Sequence, residues 1–288
     1  MKNTKHIISI KRLLLVCGMP LAALIGALST SPPSIAAPLG DIVATAEGLR
    51  KQPPSEEASK TVRDDRSCDI FLFSSESGKT RGNLLSEPEV HLKEVQRRYQ
   101  LLETISARFE QRSYLKSLDL EEQSSGHLRL QMPGKLFWEY REPEAQTFLI
   151  ANNEFQLYQP IDQQLVLQSV EASFVSDIPV SFLFGIGKLQ ERFTITRACQ
   201  RNDIISLQLS PKLRERGAVE NNLSQLTITF DSQNYFPEIT QVVDGEGNRT
   251  TVKIFDRNIG LTFKPTDFQI AVPKGTDVQD RRRKNTGE

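Results

Sequence analysis

The sequence predicts a mainly β fold with some α: an antiparallel strand meander that opens with one helix and is interrupted once by a second segment of helical length. Three observations lead there. Short segments in which apolar and polar residues alternate with period two recur through the last two thirds of the chain. Turn residues separate them, among them Pro133-Gly134, Asn152-Asn153, Gly217 and the run from Asp244 to Asn248. Helix-length segments are absent between most of those strands, which favours antiparallel neighbours over crossover units.

The N-terminus reads as a secretory signal peptide over 1–36. Lys2, Lys5, Lys11 and Arg12 precede an apolar run over 13–28, and small residues ending in Ser34-Ile35-Ala36 place cleavage after Ala36. The apolar run is short for a membrane span and carries Gly18, Pro20 and Gly26. Val16 stands before Cys17, where a lipidation signal needs a small residue. Removal of the signal leaves Cys68 and Cys199. In an oxidising compartment they either form a disulfide or remain two thiols.

Residues 37–86 read as a flexible linker, rich in Pro, Ser, Glu and Lys and without sustained apolar periodicity. The exception is the short apolar run 68–73, a strand if Cys68 is tethered to Cys199. Over 89–105 the apolar positions Val90, Leu92, Val95, Tyr99, Leu102 and Ile105 recur at three- and four-residue spacing, which predicts one amphipathic helix. Alternating strands follow at 128–130, 136–140, 155–157, 193–195, 205–209, 226–230, 252–254 and 268–270. The interruption lies at 171–184, where Phe174, Ile178, Phe182 and Leu183 line one face, Pro179 marks a start or kink, and Gly185 and Gly187 a stop. The chain closes on a basic tail over 280–288.

Composition excludes more than it selects. Lys+Arg and Asp+Glu both number 36 in 288 residues, so no net field favours nucleic acid, and no nucleic-acid partner is expected. Three histidines, one inside the signal peptide, leave no His-rich metal site and no assembled nucleophile and base, so neither metal, cofactor nor enzymatic activity is expected. Gly185-Ile-Gly-Lys188 lacks the strand and glycine spacing of a phosphate loop.

At the level of motifs the chain resembles the outer-membrane lipoprotein carrier (LolA) family. The residues that carry the resemblance are Ser106-Ala-Arg-Phe-Glu-Gln111, Gly126-His-Leu-Arg-Leu130, Pro133-Gly-Lys-Leu-Phe-Trp-Glu-Tyr140, Pro143-Glu-Ala-Gln146, Phe155-Gln-Leu-Tyr-Gln-Pro160, Ile178-Pro179, Leu183, Gly247-Asn248 and a closing stretch from Phe268 to Val278. They stand in family order within a carrier-like domain over 87–279. The resemblance implies an incomplete antiparallel β-barrel, a half-barrel whose apolar concave face is covered by the N-terminal helix and an inserted helical lid. It also implies a periplasmic chaperone that carries lipoprotein acyl chains from an ATP-driven inner-membrane extraction complex to an outer-membrane receptor lipoprotein, acting as a monomer.

On that basis Leu136, Trp138, Tyr140, Phe155 and Leu157 either contact acyl chains or pack as core beneath the lid. Phe174, Ile178, Val180, Phe182 and Leu183 form the lid's inner face. Met132 is the informative departure. The family commonly has an arginine before the proline of this turn to latch the lid, and a thioether cannot make those hydrogen bonds. Arg129, three residues earlier, falls on the opposite strand face. The departure keeps two other readings open: a carrier of another acylated lipid or glycolipid, and an envelope-stress sensor on the same fold.

Overall fold

A computed structural model describes residues 67–71, 73, 79–170, 189–212 and 223–282. The expected signal peptide and lid lie outside them, as do the last residues of the basic tail. The chain order is β1 (Ser67–Phe71), β2 (Lys79–Leu84), α1 (Pro88–Gln100), β3 (Thr104–Leu115), β4 (Leu120–Gln131), β5 (Lys135–Glu142), β6 (Gln146–Ala151), β7 (Glu154–Gln159), β8 (Gln164–Ser169), α2 (Leu189–Arg192), β9 (Phe193–Arg201), β10 (Ile204–Pro211), β11 (Leu223–Asp231), β12 (Pro237–Asp244), β13 (Arg249–Ile259) and β14 (Asp277–Asp280).

These strands form one 14-stranded sheet in the order β1-β2-β9-β10-β11-β12-β13-β3-β4-β5-β6-β7-β8-β14. Its two end strands do not pair, so the sheet is open. Every pairing is antiparallel except that of β14 with β8. The expected half-barrel is therefore the observed architecture, with β3 at its middle, flanked by β13 and β4.

Helix α1 begins on Pro88, whose fixed φ suits a first helical position, and carries Glu89 in its first turn and Arg97 and Arg98 in its last, in accord with the helix dipole. Arg97 and Arg98 both donate to Glu94, and those hydrogen bonds, Arg97's foremost, hold the Glu94 carboxyl down at about 2. The helix is shorter than the sequence predicts. It stops at Gln100, and Ile105 belongs to β3. Thr104 and Ile105 are β-branched, and from Ile105 onward Ala107 and Phe109 take up period-two burial that the helical spacing of Leu102 and Ile105 masks.

Three further expectations are corrected. The 268–270 strand is absent: Pro265–Phe268 is a 3-10 turn, and Phe268 packs on the outer face against Phe137 and Leu149. The linker ends earlier than residue 86, because Ser67–Phe71 and Lys79–Leu84 are strands. A disulfide between Cys68 and Cys199 on β9, with Cα atoms 5.9 Å apart, holds them, and Ile70 is fully buried beside it. Of the two sequence alternatives the structure has the bonded one. Gly82 is required there, since a Cβ would lie 2.7 Å from the Gln200 carbonyl oxygen and 2.8 Å from Ile70 Cδ1. Phe73 continues the strap across the outer face, lying beneath the Arg112 guanidinium at 4.8 Å. The tail also begins later than expected: Asp280 closes β14, and Arg282 pairs with Glu154.

Candidate functional site: the concave face

Side chains alternate across a strand, and directly opposed residues of an antiparallel pair share a face, so the register gives the inner surface row by row. Nearest the Pro133-Gly134 turn, Ile105, Leu130, Leu136, Ile150 and Phe155 run across β3 to β7. The next row is Ala107, Leu128, Trp138, Phe148, Leu157 and Val166. Then come Phe109, Gly126, Tyr140 and Gln146. The five residues singled out from the sequence, Leu136, Trp138, Tyr140, Phe155 and Leu157, are thus brought together in one cluster, each buried.

The aromatic centre of this face is Phe109. Its ring lies 4.1 Å from that of Trp138 and 5.1 Å, edge-on, from that of Tyr140. A backbone irregularity between Ser125 and Gly126 lets β5 approach closely. A Cβ on Gly126 would collide with the Glu139 carbonyl oxygen and stand 2.9 Å from Phe109 Cε1, so glycine at this position is a condition of the aromatic packing.

Helix α1 crosses the same face. Tyr99 and the nearby Leu102 belong to the cluster on β3 to β8, whereas Leu92 and Val95 join a second cluster with Leu207, Ile228 and Phe230 on β10 and β11. Tyr235 Oη lies 3.1 Å from His91 Nδ1, tying the helix to the β11–β12 turn. Burial pushes the Tyr99 hydroxyl well above the ordinary tyrosine value. An unfolded tyrosine ionises near pH 10. Above that pH the unfolded chain therefore binds fewer protons than the folded one, and stability falls as pH rises, by about 1.4 kcal/mol per unit for this one group. Urea titrations between pH 8 and 11 are expected to show a slope that Tyr99→Phe reduces; equal slopes for both proteins would refute the assignment.

Met132 packs against the inner cluster, and its backbone N–H donates to the Glu103 carbonyl at 2.7 Å. Arg129 lies on the outer face, its guanidinium 4.2 Å over the Phe137 ring. The lid positions Phe174, Ile178, Val180, Phe182 and Leu183 lie outside the described residues.

Sequence reading missed much of this surface. Ala107, Phe148, Ile150 and Val166 line it, and so do the buried polar residues Gln111, Ser113 and Ser124. The signal available was the period-two projection from Phe109 along β3, which places Gln111 and Ser113 inward despite the charged Glu110 and Arg112 between them.

The family model described as outer membrane lipoprotein carrier protein LolA matches residues 100–271, more than half of the sequence. The chain belongs to the LolA family. Among curated members, the outer-membrane lipoprotein carrier protein of Azotobacter vinelandii is 27% identical over 198 residues, covering 67% of this chain and 91% of the relative. That of Chromobacterium violaceum is 29% identical over 177 residues, covering 61% and 80%. A solved LolA superfamily protein from Nitrosomonas europaea overlays with a TM-score of 0.36 at 9% identity, covering 65% of this chain and 99% of that one. The LolA match begins at Gln100, so β1, β2 and most of α1, with Cys68 of the strap, precede it. Among the described residues no helix is long and apolar enough to cross a membrane.

Proposed function

We propose that this protein is a periplasmic, non-enzymatic carrier that shields the acyl chains of lipoproteins on the concave face of its open sheet, on their way from the inner to the outer membrane. The observation that carries the reading is the unbroken apolar surface from Ile105 across to Phe155 and from Ala107 to Val166, in a chain of the LolA family. Each methylene left in water costs roughly 0.8 kcal/mol, so a lipoprotein leaves a bilayer only into a comparable apolar environment. Leu136, Trp138, Tyr140, Phe155 and Leu157 provide it from the sheet, and Phe174, Ile178, Val180, Phe182 and Leu183 complete it from the inserted segment. The burial of the sheet residues suits this role, because a surface that binds acyl chains must also be covered when empty. The partners are an ATP-driven extraction complex at the inner membrane and a receptor lipoprotein at the outer membrane, met by a monomeric carrier.

Met132, in place of a latching arginine, supports a second cargo class, another acylated lipid or glycolipid. One experiment separates the two. Purified protein is incubated with membranes holding radiolabelled lipoproteins and the extraction complex, with ATP. Soluble complexes of lipoprotein and carrier are the expected product. Lipid extracts of the periplasmic protein that contain glycolipid, together with no lipoprotein release, would overturn the lipoprotein assignment.

A further inference from the structure

The concave face is not uniformly apolar. The row nearest the Pro133-Gly134 turn has no polar side chain from Ile105 to Phe155. Three rows along, Gln111 opposes Ser124, and Ser113 follows on β3. Tyr140 Oη donates to Gln111 Oε1 at 2.9 Å, and Gln111 Nε2 donates to Ser113 Oγ at 3.0 Å. All three partners are buried, as are Ser124 and Gln146. The inner surface of β3 to β6 therefore grades from hydrocarbon at one end to hydrogen-bonding groups at the other.

Trp138 sits at the boundary. It is 2% exposed, and its indole Nε1 is buried with no hydrogen-bond partner among the described residues. A buried N–H without an acceptor is costly, and native proteins rarely leave one in an apolar setting. The indole is a donor only, so the group that satisfies it must be an acceptor. The buried polar residues of the described chain are Gln, Ser and Thr, without a charge among them. A phosphate or carboxylate brought here would lack a counter-charge, whereas a neutral carbonyl would not need one.

We infer that Trp138 donates to the ester carbonyl of an acylated ligand, whose chains run toward Leu136 and Phe155 and whose linker faces the Tyr140–Gln111–Ser113 end. The inference rests on the acyl-carrier reading above and adds to it a direction and a chemical preference. Selection falls on the neutral ester linkage that joins chain to glycerol, not on the headgroup. It also makes the methyl ends the part of the ligand nearest the Pro133-Gly134 turn.

The test uses a synthetic lipopeptide bearing two palmitoyl esters on a glyceryl-cysteine, and its dialkyl ether analogue, which has the same chain length but no ester carbonyl. Trp138 is the only tryptophan in the chain, so its emission reports this position alone. The full-length mature protein is expected to bind the ester about 3- to 10-fold more tightly than the ether, the range of one net hydrogen bond. Bromine atoms near the ester end of the chains are expected to quench Trp138 more than bromine atoms at the methyl ends. Trp138→Phe is expected to erase the ester preference, measured by displacement of a fluorescent fatty acid. Should that variant not fold, the ester-to-ether ratio and the quenching order of the native protein still decide. Equal affinities, or stronger quenching from the methyl ends, would overturn the inference and leave the carrier reading standing. Failure to bind either compound would instead remove the carrier reading itself.

Discussion

Phe109→Ala is expected to lower the folding free energy by about 3–5 kcal/mol, the range for removing a large aromatic side chain from a well-packed core. Phe109 is fully buried and joins the rings of Trp138 and Tyr140 to each other. Collapse into the space left behind is opposed on both sides. Gly126 directly across on β4 has no side chain to move in, and Ile254 on β13 is fixed by the ladder at the register Ile254 to Phe109. A domain of ordinary stability has about 5–15 kcal/mol in hand, so this one change removes a large share of it. Urea unfolding followed through Trp138 emission gives the measurement. A loss under about 1 kcal/mol would show that the aromatic cluster is not the mechanical centre of the sheet.

The second large effect concerns the outer strap. Replacing both Cys68 and Cys199 by alanine is expected to lower stability by about 2–5 kcal/mol, because the disulfide closes a long loop and restricts the unfolded chain. The bond spans a sequence separation of 131 residues. Among the described residues the ladder between β2 and β9 is short, Asn83 with Gln200 and Leu84 with Cys199, extended by the Leu85 N–H donating to the Ala198 carbonyl. The variant is therefore also expected to become sensitive to protease between residues 67 and 84, while the sheet around Phe109 keeps its near-ultraviolet circular dichroism. An unchanged urea midpoint, with the strap still protected, would mean that Ile70 and the β1–β2 ladder suffice without the bond.

Legibility in the sequence followed physical cause. Strands half-buried on one side, such as those through Leu136, Trp138 and Tyr140 or Ile205, Leu207 and Leu209, were legible because alternate residues meet different solvents. Asp277–Asp280 was not, since an edge strand lying parallel to β8 is held by backbone hydrogen bonds and needs no apolar face. Lys79–Leu84 escaped for a similar reason, being placed by its pairing with β1 and by the cross-link at Cys68. The helix end failed where two periodicities overlap: Leu102 and Ile105 continue the spacing of α1, yet Ile105 is the first inward residue of β3. Phe268 and Ile270 alternate as a strand would, but Pro265 begins a 3-10 turn, and their apolar side chains meet the outer face of β5 and β6. At the site, the apolar half was legible and the polar half was not. Gln111 and Ser113 stand among charged neighbours and read as solvated until the register with Ser124 turns them inward.

The position of β3 has a consequence for how the chain comes to be folded. Strands β4 to β8 are a succession of near neighbours along the sequence and can zip up as they are made. The other flank of β3 pairs with β13, where Tyr114 meets Arg249, so the sheet stays in two parts until nearly the whole polypeptide exists. Contacts between residues so far apart are entropically slow to form. During that interval Phe109 and its row lack the Ile254 side of their packing, and a surface suited to acyl chains is open to any apolar segment nearby. Maturation of such a chain is therefore expected to depend on holding factors in the compartment where it folds, and loss of β13 should be more damaging than its place near the end of the sequence would imply.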